Sequence, residues 1–139
     1  QLVRMEANVN GYDEGVVLGP DGLISEGSGE NLFVVRKGVI YTPASHHSIL
    51  TGITRETAMI LARDLGLDVE ECGVPRETLY IADELFFTGT AAEITPIRAV
   101  DKITVGSGER GPITEQLQNE FFDCISGEKD DQHGWLTSV

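Results

Sequence analysis

The stretch Thr54-Arg55-Glu56-Thr57-Ala58-Met59-Ile60-Leu61-Ala62-Arg63-Asp64-Leu65-Gly66-Leu67-Asp68-Val69-Glu70-Glu71-Cys72 decides the architecture. An amphipathic helix opens at Thr54, and Ala58, Ile60, Leu61 and Leu65 supply its apolar face. Gly66 ends it at the position where a left-handed backbone is cheapest, and Leu67 to Cys72 reads as a strand. Just upstream, Asn31 to Arg36 and Val39 to Thr42 read as two strands joined by a tight turn at Lys37-Gly38, and Pro43 to Thr51 is a loop. A hairpin followed by a helix and a further strand predicts an α/β or α+β domain built on a mixed sheet.

Working outward, Glu14 to Leu18 is a short apolar strand and Gly19-Pro20-Asp21-Gly22 a turn by composition. Leu23 to Ser25 leads into a Gly-rich turn beside Glu26. Pro75 to Ala82 reads as a short helix, Glu84 to Thr88 as an apolar strand ending at Gly89, and Ile94 to Val100 as one further strand. Ile103 to Val105 is a short strand and Pro112 to Ile125 the last helix. The tail from Ser126 is polar, with Trp135-Leu136 as its apolar anchor. Gln1 to Val9 is compatible with the end of a helix that begins upstream, so the chain reads as a fragment of a longer protein.

With 139 residues, 40% of them hydrophobic, the chain is long enough for one domain with a core. No apolar run approaches the roughly 20 residues of a membrane span, and no basic-apolar leader pattern opens the chain. Cys72 and Cys124 have neither metal-site spacing nor the number for a disulfide framework, so a cytoplasmic location is expected. A net charge of −13 argues against a nucleic-acid partner, whose phosphates require Lys and Arg. It does not exclude a small phosphate, which a local ring of N–H groups can hold against the global field.

Three segments carry candidate chemistry. Gly52-Ile53-Thr54 opens the helix, where free N–H groups and the positive dipole end suit a phosphate. Thr54 is equally a good N-cap residue whether or not anything binds. Thr88-Gly89-Thr90-Ala91-Ala92 follows an apolar strand, a usual ligand position in α/β proteins; an ordinary tight turn has the same composition. Thr90 offers a hydroxyl to an anion, and the N–H groups near Ala91 and Ala92 offer donors to a carboxylate. Ser25-Glu26-Gly27-Ser28-Gly29 sets a carboxylate beside a flexible backbone; read alone, Glu26 is a surface or turn carboxylate. His46-His47 has no third ligand in view, so no metal is expected; no His makes a catalytic triad with Ser25 or Ser28. Arg98 is expected to pair with a carboxylate.

Taken in order, Ser25-Glu26-Gly27 with Gly29-Glu30-Asn31-Leu32-Phe33, then Leu50-Thr51-Gly52-Ile53-Thr54, then Gly89-Thr90-Ala91-Ala92-Glu93-Ile94-Thr95-Pro96, resemble the fold-type IV pyridoxal-phosphate enzymes, most closely the branched-chain amino acid aminotransferases. The resemblance runs from about Gly11 to Val139 and takes in Gly134-Trp135-Leu136 near the end. It implies the cofactor-binding C-terminal domain, residues 1–139, of the D-amino acid aminotransferase-like fold, a mixed sheet or pseudo-barrel flanked by helices. It implies pyridoxal 5'-phosphate, with Glu26 at the ring nitrogen, Leu50 against the ring face, and Gly52, Ile53, Thr54, Gly89 and Thr90 around the phosphate. Thr90, Ala91 and Ala92 would receive the substrate. The implied partners are L-leucine, L-isoleucine or L-valine with 2-oxoglutarate and glutamate, and other copies of the full-length chain in a homodimer or larger oligomer.

The family's Schiff-base lysine has no counterpart here. Lys37, Lys102 and Lys129 stand in two turns and the tail, so the lysine is expected upstream of Gln1 and the fragment alone is expected to be inactive. The alternatives are another fold-type IV enzyme, such as a D-amino acid aminotransferase or an aminodeoxychorismate lyase, and a non-enzymatic anion-binding domain.

Overall fold

The computed structural model describes residues 16–18, 22–27, 31–43, 53–89 and 93–126, with the backbone alone for 16–18, 25–27, 53–54, 93 and 124–126. Nine strands, two helices and a 3₁₀ segment lie within them. The strands are β1 (Val16–Leu18), β2 (Ile24–Gly27), β3 (Asn31–Arg36), β4 (Val39–Pro43), β5 (Asp68–Cys72), β6 (Glu84–Gly89), β7 (Glu93–Pro96), β8 (Ala99–Val100) and β9 (Ile103–Thr104). The helices are α1 (Ile53–Asp64) and α2 (Pro112–Ser126), and the 3₁₀ segment is Arg76–Ile81.

The centre is a five-stranded sheet in the order β5-β4-β3-β6-β7. β3 and β6 are buried over five consecutive residues each, which their near-continuous apolar runs dictate, because both faces of a central strand are covered. Their alternate side chains feed two separate cores. Phe33, Val35 and Phe86 join Ala58, Met59, Leu61 and Ala62 of α1 and Leu117 and Phe121 of α2 on one face. Leu32, Val34, Leu85 and Phe87 join Ile24, Val74, Leu79, Ala82 and Val105 on the other. Phe33 and Phe86 are cross-strand partners, and their rings stack with centroids 4.9 Å apart.

β3 and β4 form the expected hairpin, with Lys37 at φ 50° and Gly38 at φ 80°, the left-handed pair that a two-residue turn needs. β5 runs parallel to β4, and α1 provides the crossover that a parallel pair requires. Gly66, at φ 81°, ends α1 as expected. Its N–H and that of Leu67 close back on Arg63 and Ala62 carbonyls, both at 3.0 Å, a Schellman-type ending.

Several expectations need correction. Ile60 is only half-buried: Ala58, Leu61, Ala62 and Leu65 follow the three-and-four spacing of one stripe, and Ile60 falls beside it. Met59 and Ala62 complete the buried face. Ile94 to Val100 is two strands, because β7 leaves β6 after Pro96 and the chain enters the separate β8–β9 hairpin, whose turn residues Asp101 and Lys102 have φ 50° and 66°. The segment after Pro75 is 3₁₀ rather than α-helical. Glu26 lies in strand β2, paired with Val17, and not in a turn. The ion pairs among the described residues do not include Arg98, whose carbonyl accepts Val105 N–H.

Glu84 closes the helix layer. It is a β6 residue, only 7% exposed, on the face that packs against the helices. Its carboxylate accepts Thr114 N–H at 2.8 Å, Ile113 N–H at 3.2 Å and the Thr114 hydroxyl at 2.8 Å, so it caps the start of α2 from another element. Gly111, the residue before Pro112, is where a Cβ would overlap the Glu84 carboxyl group. Gly111→Ala is therefore expected to destabilise the intact protein by about 1–3 kcal/mol through overpacking of this cap. Chemical denaturation checks this, and an unshifted midpoint would contradict the role given to Glu84.

Candidate ligand-binding edge of the sheet

β3 is antiparallel to both β4 and β6, so β4 and β6 run the same way, and β5 runs with β4. The ends of β4, β5 and β6 and the start of β3 therefore share one edge. The register fixes this edge: Asn31 pairs with Thr88, Pro43 with Cys72 and Gly89 with Glu93. Carboxyl ends of parallel strands, with a helix starting above them, are where α/β sheets place ligands.

All three sequence segments arrive at this edge. Glu26 lies near the end of β2, and the three residues between Gly27 and Asn31 can span no more than roughly 14 Å. β2 is held against the face away from the helices, through Ile24 N–H to Val74 O at 2.8 Å and the burial of Ile24. Gly89 ends β6 at the same edge. α1 begins with Ile53, Thr54 and Arg55, on the other face. Thr54 is inside the first turn and is not the N-cap, so its N–H belongs to the group of first-turn donors that lack an intrahelical acceptor. Leu50, Gly52, Thr90, Ala91 and Ala92 lie outside the described residues, as do His46 and His47; Ile53 and Gly89 are the chain neighbours of the second and third segments.

Residues that sequence reasoning left without a role hold the edge together. The Thr42 hydroxyl donates to Leu32 O at 2.8 Å, tying β4 to β3. Arg55, 3% exposed, donates through Nη2 to Pro43 O at 3.1 Å and to Glu71 Oε1 at 2.9 Å. This fixes the first turn of α1 to the ends of β4 and β5. The signal was present in the sequence: an arginine in the first turn of a helix opposes the dipole preference and needs a reason.

Among the described residues, two buried side-chain atoms lack a hydrogen-bond partner, Arg55 Nε and Thr88 Oγ1, and both belong to this edge. Buried polar groups are ordinarily paired, so orphaned donors concentrated at one edge fit a polar ligand there. Cys72 also sits at the edge, but burial, and then the charge of Glu70, pushes its thiol up from the ordinary value. A protonated thiol is a poor nucleophile, so the edge is not suited to cysteine chemistry.

Elsewhere, Arg76 and Tyr80 of the 3₁₀ segment hold Asp101 in the β8–β9 turn. The Tyr80 hydroxyl, and then the Arg76 guanidinium, lower the Asp101 carboxyl below its ordinary value. A carboxylate lowered in the folded state adds stability above its unfolded value and loses it as pH falls through the folded one. Asp101→Asn is thus expected to remove a small component of acid sensitivity below about pH 4. Identical pH–stability curves for variant and parent would contradict this.

A helix start, strand ends and orphaned donors share one edge of a mixed α/β domain. A family model, amino-transferase class IV, matches residues 1–100. The chain belongs to the class IV aminotransferase family. It is 52% identical to the branched-chain-amino-acid aminotransferase of Escherichia coli K12, in a match that covers 99% of this chain and 45% of that protein. The corresponding enzyme of Pseudomonas aeruginosa is 49% identical over the same shares. A crystal structure of the Escherichia coli enzyme superposes with a TM-score of 0.96, covering 99% of this chain and 46% of that one. The branched-chain aminotransferase of the thermophilic archaeon Thermoproteus uzoniensis, with norvaline, superposes at 0.92 with 46% identity, covering 98% and 45%. A further branched-chain amino acid aminotransferase, complexed with N-(5'-phosphopyridoxyl)-L-glutamate, superposes at 0.93 with 44% identity, covering 98% and 46%. The chain thus spans less than half the length of these relatives.

Proposed function

We propose that this chain is the cofactor-binding domain of a branched-chain amino acid aminotransferase. The intact protein would exchange the amino group of L-leucine, L-isoleucine or L-valine with 2-oxoglutarate. The observation that carries the reading is the arrival of β2, the start of α1 and the end of β6 at one sheet edge that also holds two orphaned buried donors. The phosphopyridoxyl-glutamate conjugate bound to one of the similar aminotransferases supports pyridoxal 5'-phosphate as the ligand.

When bound, pyridoxal phosphate supplies an electron-withdrawing pyridinium that makes loss of an amino acid α-proton feasible. The residues of this chain hold and tune it. N–H groups of Ile53 and Thr54, next to Gly52, take the phosphate at the positive end of α1. The Thr90 hydroxyl, after Gly89, adds a donor. Glu26 keeps a proton on the ring nitrogen, and Leu50 packs on the ring. The N–H groups of Ala91 and Ala92 receive the substrate carboxylate. The lysine that bonds the cofactor and moves the proton belongs to the part of the protein beyond this chain. We also place the intact protein in the cytoplasm as a homodimer or larger homo-oligomer.

In the intact protein, Glu26→Gln is expected to leave the fold in place and lower leucine turnover by about tenfold or more, the effect of a charge-assisted hydrogen bond worth roughly 1.5–3 kcal/mol. Turnover within roughly twofold of the parent would remove Glu26 from the ring nitrogen. Substrate class is tested by assaying L-leucine and D-alanine with 2-oxoglutarate. Reaction with L-leucine supports the reading, reaction confined to D-alanine indicates a D-amino acid aminotransferase, and no reaction with either contradicts it.

A further inference from the structure

Arg55 opposes the field of its own helix. A cation is favoured at the C-terminal end of a helix and disfavoured at the N-terminal end, yet Arg55 stands in the first turn of α1 and is 3% exposed. Its one anionic partner among the described residues is Glu71, whose side chain is 40% exposed and so is partly neutralised by water. One nitrogen, Nη2, makes both recorded contacts, to Pro43 O and Glu71, while Nε has no partner among the described residues. A buried guanidinium with a spare donor thus stands with the positive end of α1 at the sheet edge, and the carboxylates next to this pair in the chain, Glu56 and Glu70, are exposed to water.

We propose that Arg55 is a positioning residue for the phosphate of the bound cofactor. It pins the first turn of α1 to the ends of β4 and β5 so that the Ile53 and Thr54 N–H groups face outward at a fixed height. Its charge, only partly offset by Glu71, raises the affinity of that turn for a dianion without touching it. A buried pair kept purely as a brace would need a well-matched partner and no spare donor. This pair has a water-exposed carboxylate and an idle Nε, as a group tuned for its field would. The inference rests on the proposed cofactor reading, and its test separates the two.

The test titrates the intact apoprotein with pyridoxal phosphate and with pyridoxal, following absorbance, and takes the ratio of the two affinities as the contribution of the phosphate. Thermal stability of each apoprotein is measured alongside. Arg55→Gln is expected to cut the ratio by about tenfold, a typical size for coupling between neighbouring groups. Arg55→Lys, which keeps the charge, is expected to hold the ratio within roughly threefold of the parent. Glu71→Gln, which releases the charge, is expected to preserve or raise it. A brace would behave differently: Arg55→Gln and Glu71→Gln would both lower apoprotein stability and leave the ratio alone, or both would lower the ratio, and either result overturns the proposal. Should Arg55→Gln not fold, Glu71→Gln decides by its sign: a preserved or raised ratio supports the proposal and a lowered one overturns it. A parent protein with no preference for the phosphorylated compound would overturn the cofactor reading itself.

Discussion

The pairing of β3 with both its neighbours is the constraint on which the rest depends. Because β3 runs against β4 and against β6, those two strands point the same way and deliver their ends to one edge. The register Asn31 to Thr88 sets which residues stand there. A slip of one residue would exchange the two faces of β3, sending Phe33 to the wrong core and Leu32 to the helices. The stacked Phe33–Phe86 pair, buried with α1 and α2 above it, makes that slip costly. The geometry of the edge is therefore inherited from core packing some residues away, and the polar groups at the edge need not build it.

Burial and charge divide the work between the two ends of the sheet. At the far end, Glu84 satisfies the start of α2 with a carboxylate from β6, and that helix end is closed to any other anion. At the near end, the first turn of α1 turns a buried arginine toward the strand ends and the exposed Glu56 toward solvent, and no carboxylate from the sheet caps it among the described residues. Two helix starts on the same face of the same sheet thus carry opposite charge chemistry. One is a structural cap, and the other is the part of the fold with unmet donors.

Much of this was legible in the sequence, and the gaps have physical causes. The Lys37-Gly38 turn and the Gly66 stop were readable because a left-handed backbone is demanded at those points. The strands β3 and β6 were readable from their apolar runs. The break after Pro96 was hidden, because alternation tells which face a residue takes and not which strand it pairs with. Ile60 was misplaced because a count of apolar residues does not separate a stripe from its flank. The turn chemistry of Ile53, Thr54 and Gly89 drew attention to the segments that lead to the edge, whereas Arg55, Thr88, Glu71 and Glu84 drew none. The roles of Arg55, Glu71 and Glu84 depend on partners 12 to 30 residues away in the chain, as with Pro43 and Arg55 or Glu84 and Thr114; the first-turn place of Arg55 was a local sign, but no local pattern names its partners. The family resemblance rests on the Glu26, Gly52 and Gly89 motifs and is silent on the side chains that brace the edge.

Three separated segments lead to one sheet edge, and the proposed cofactor is expected to span them. The most direct measurement is a crystal structure of the intact protein bound to pyridoxal phosphate. The expected result is a phosphate within hydrogen-bonding distance of the Ile53 and Thr54 N–H groups and a pyridine nitrogen within reach of the Glu26 carboxylate. A phosphate bound away from the start of α1, or a ring nitrogen facing any group other than Glu26, would contradict it.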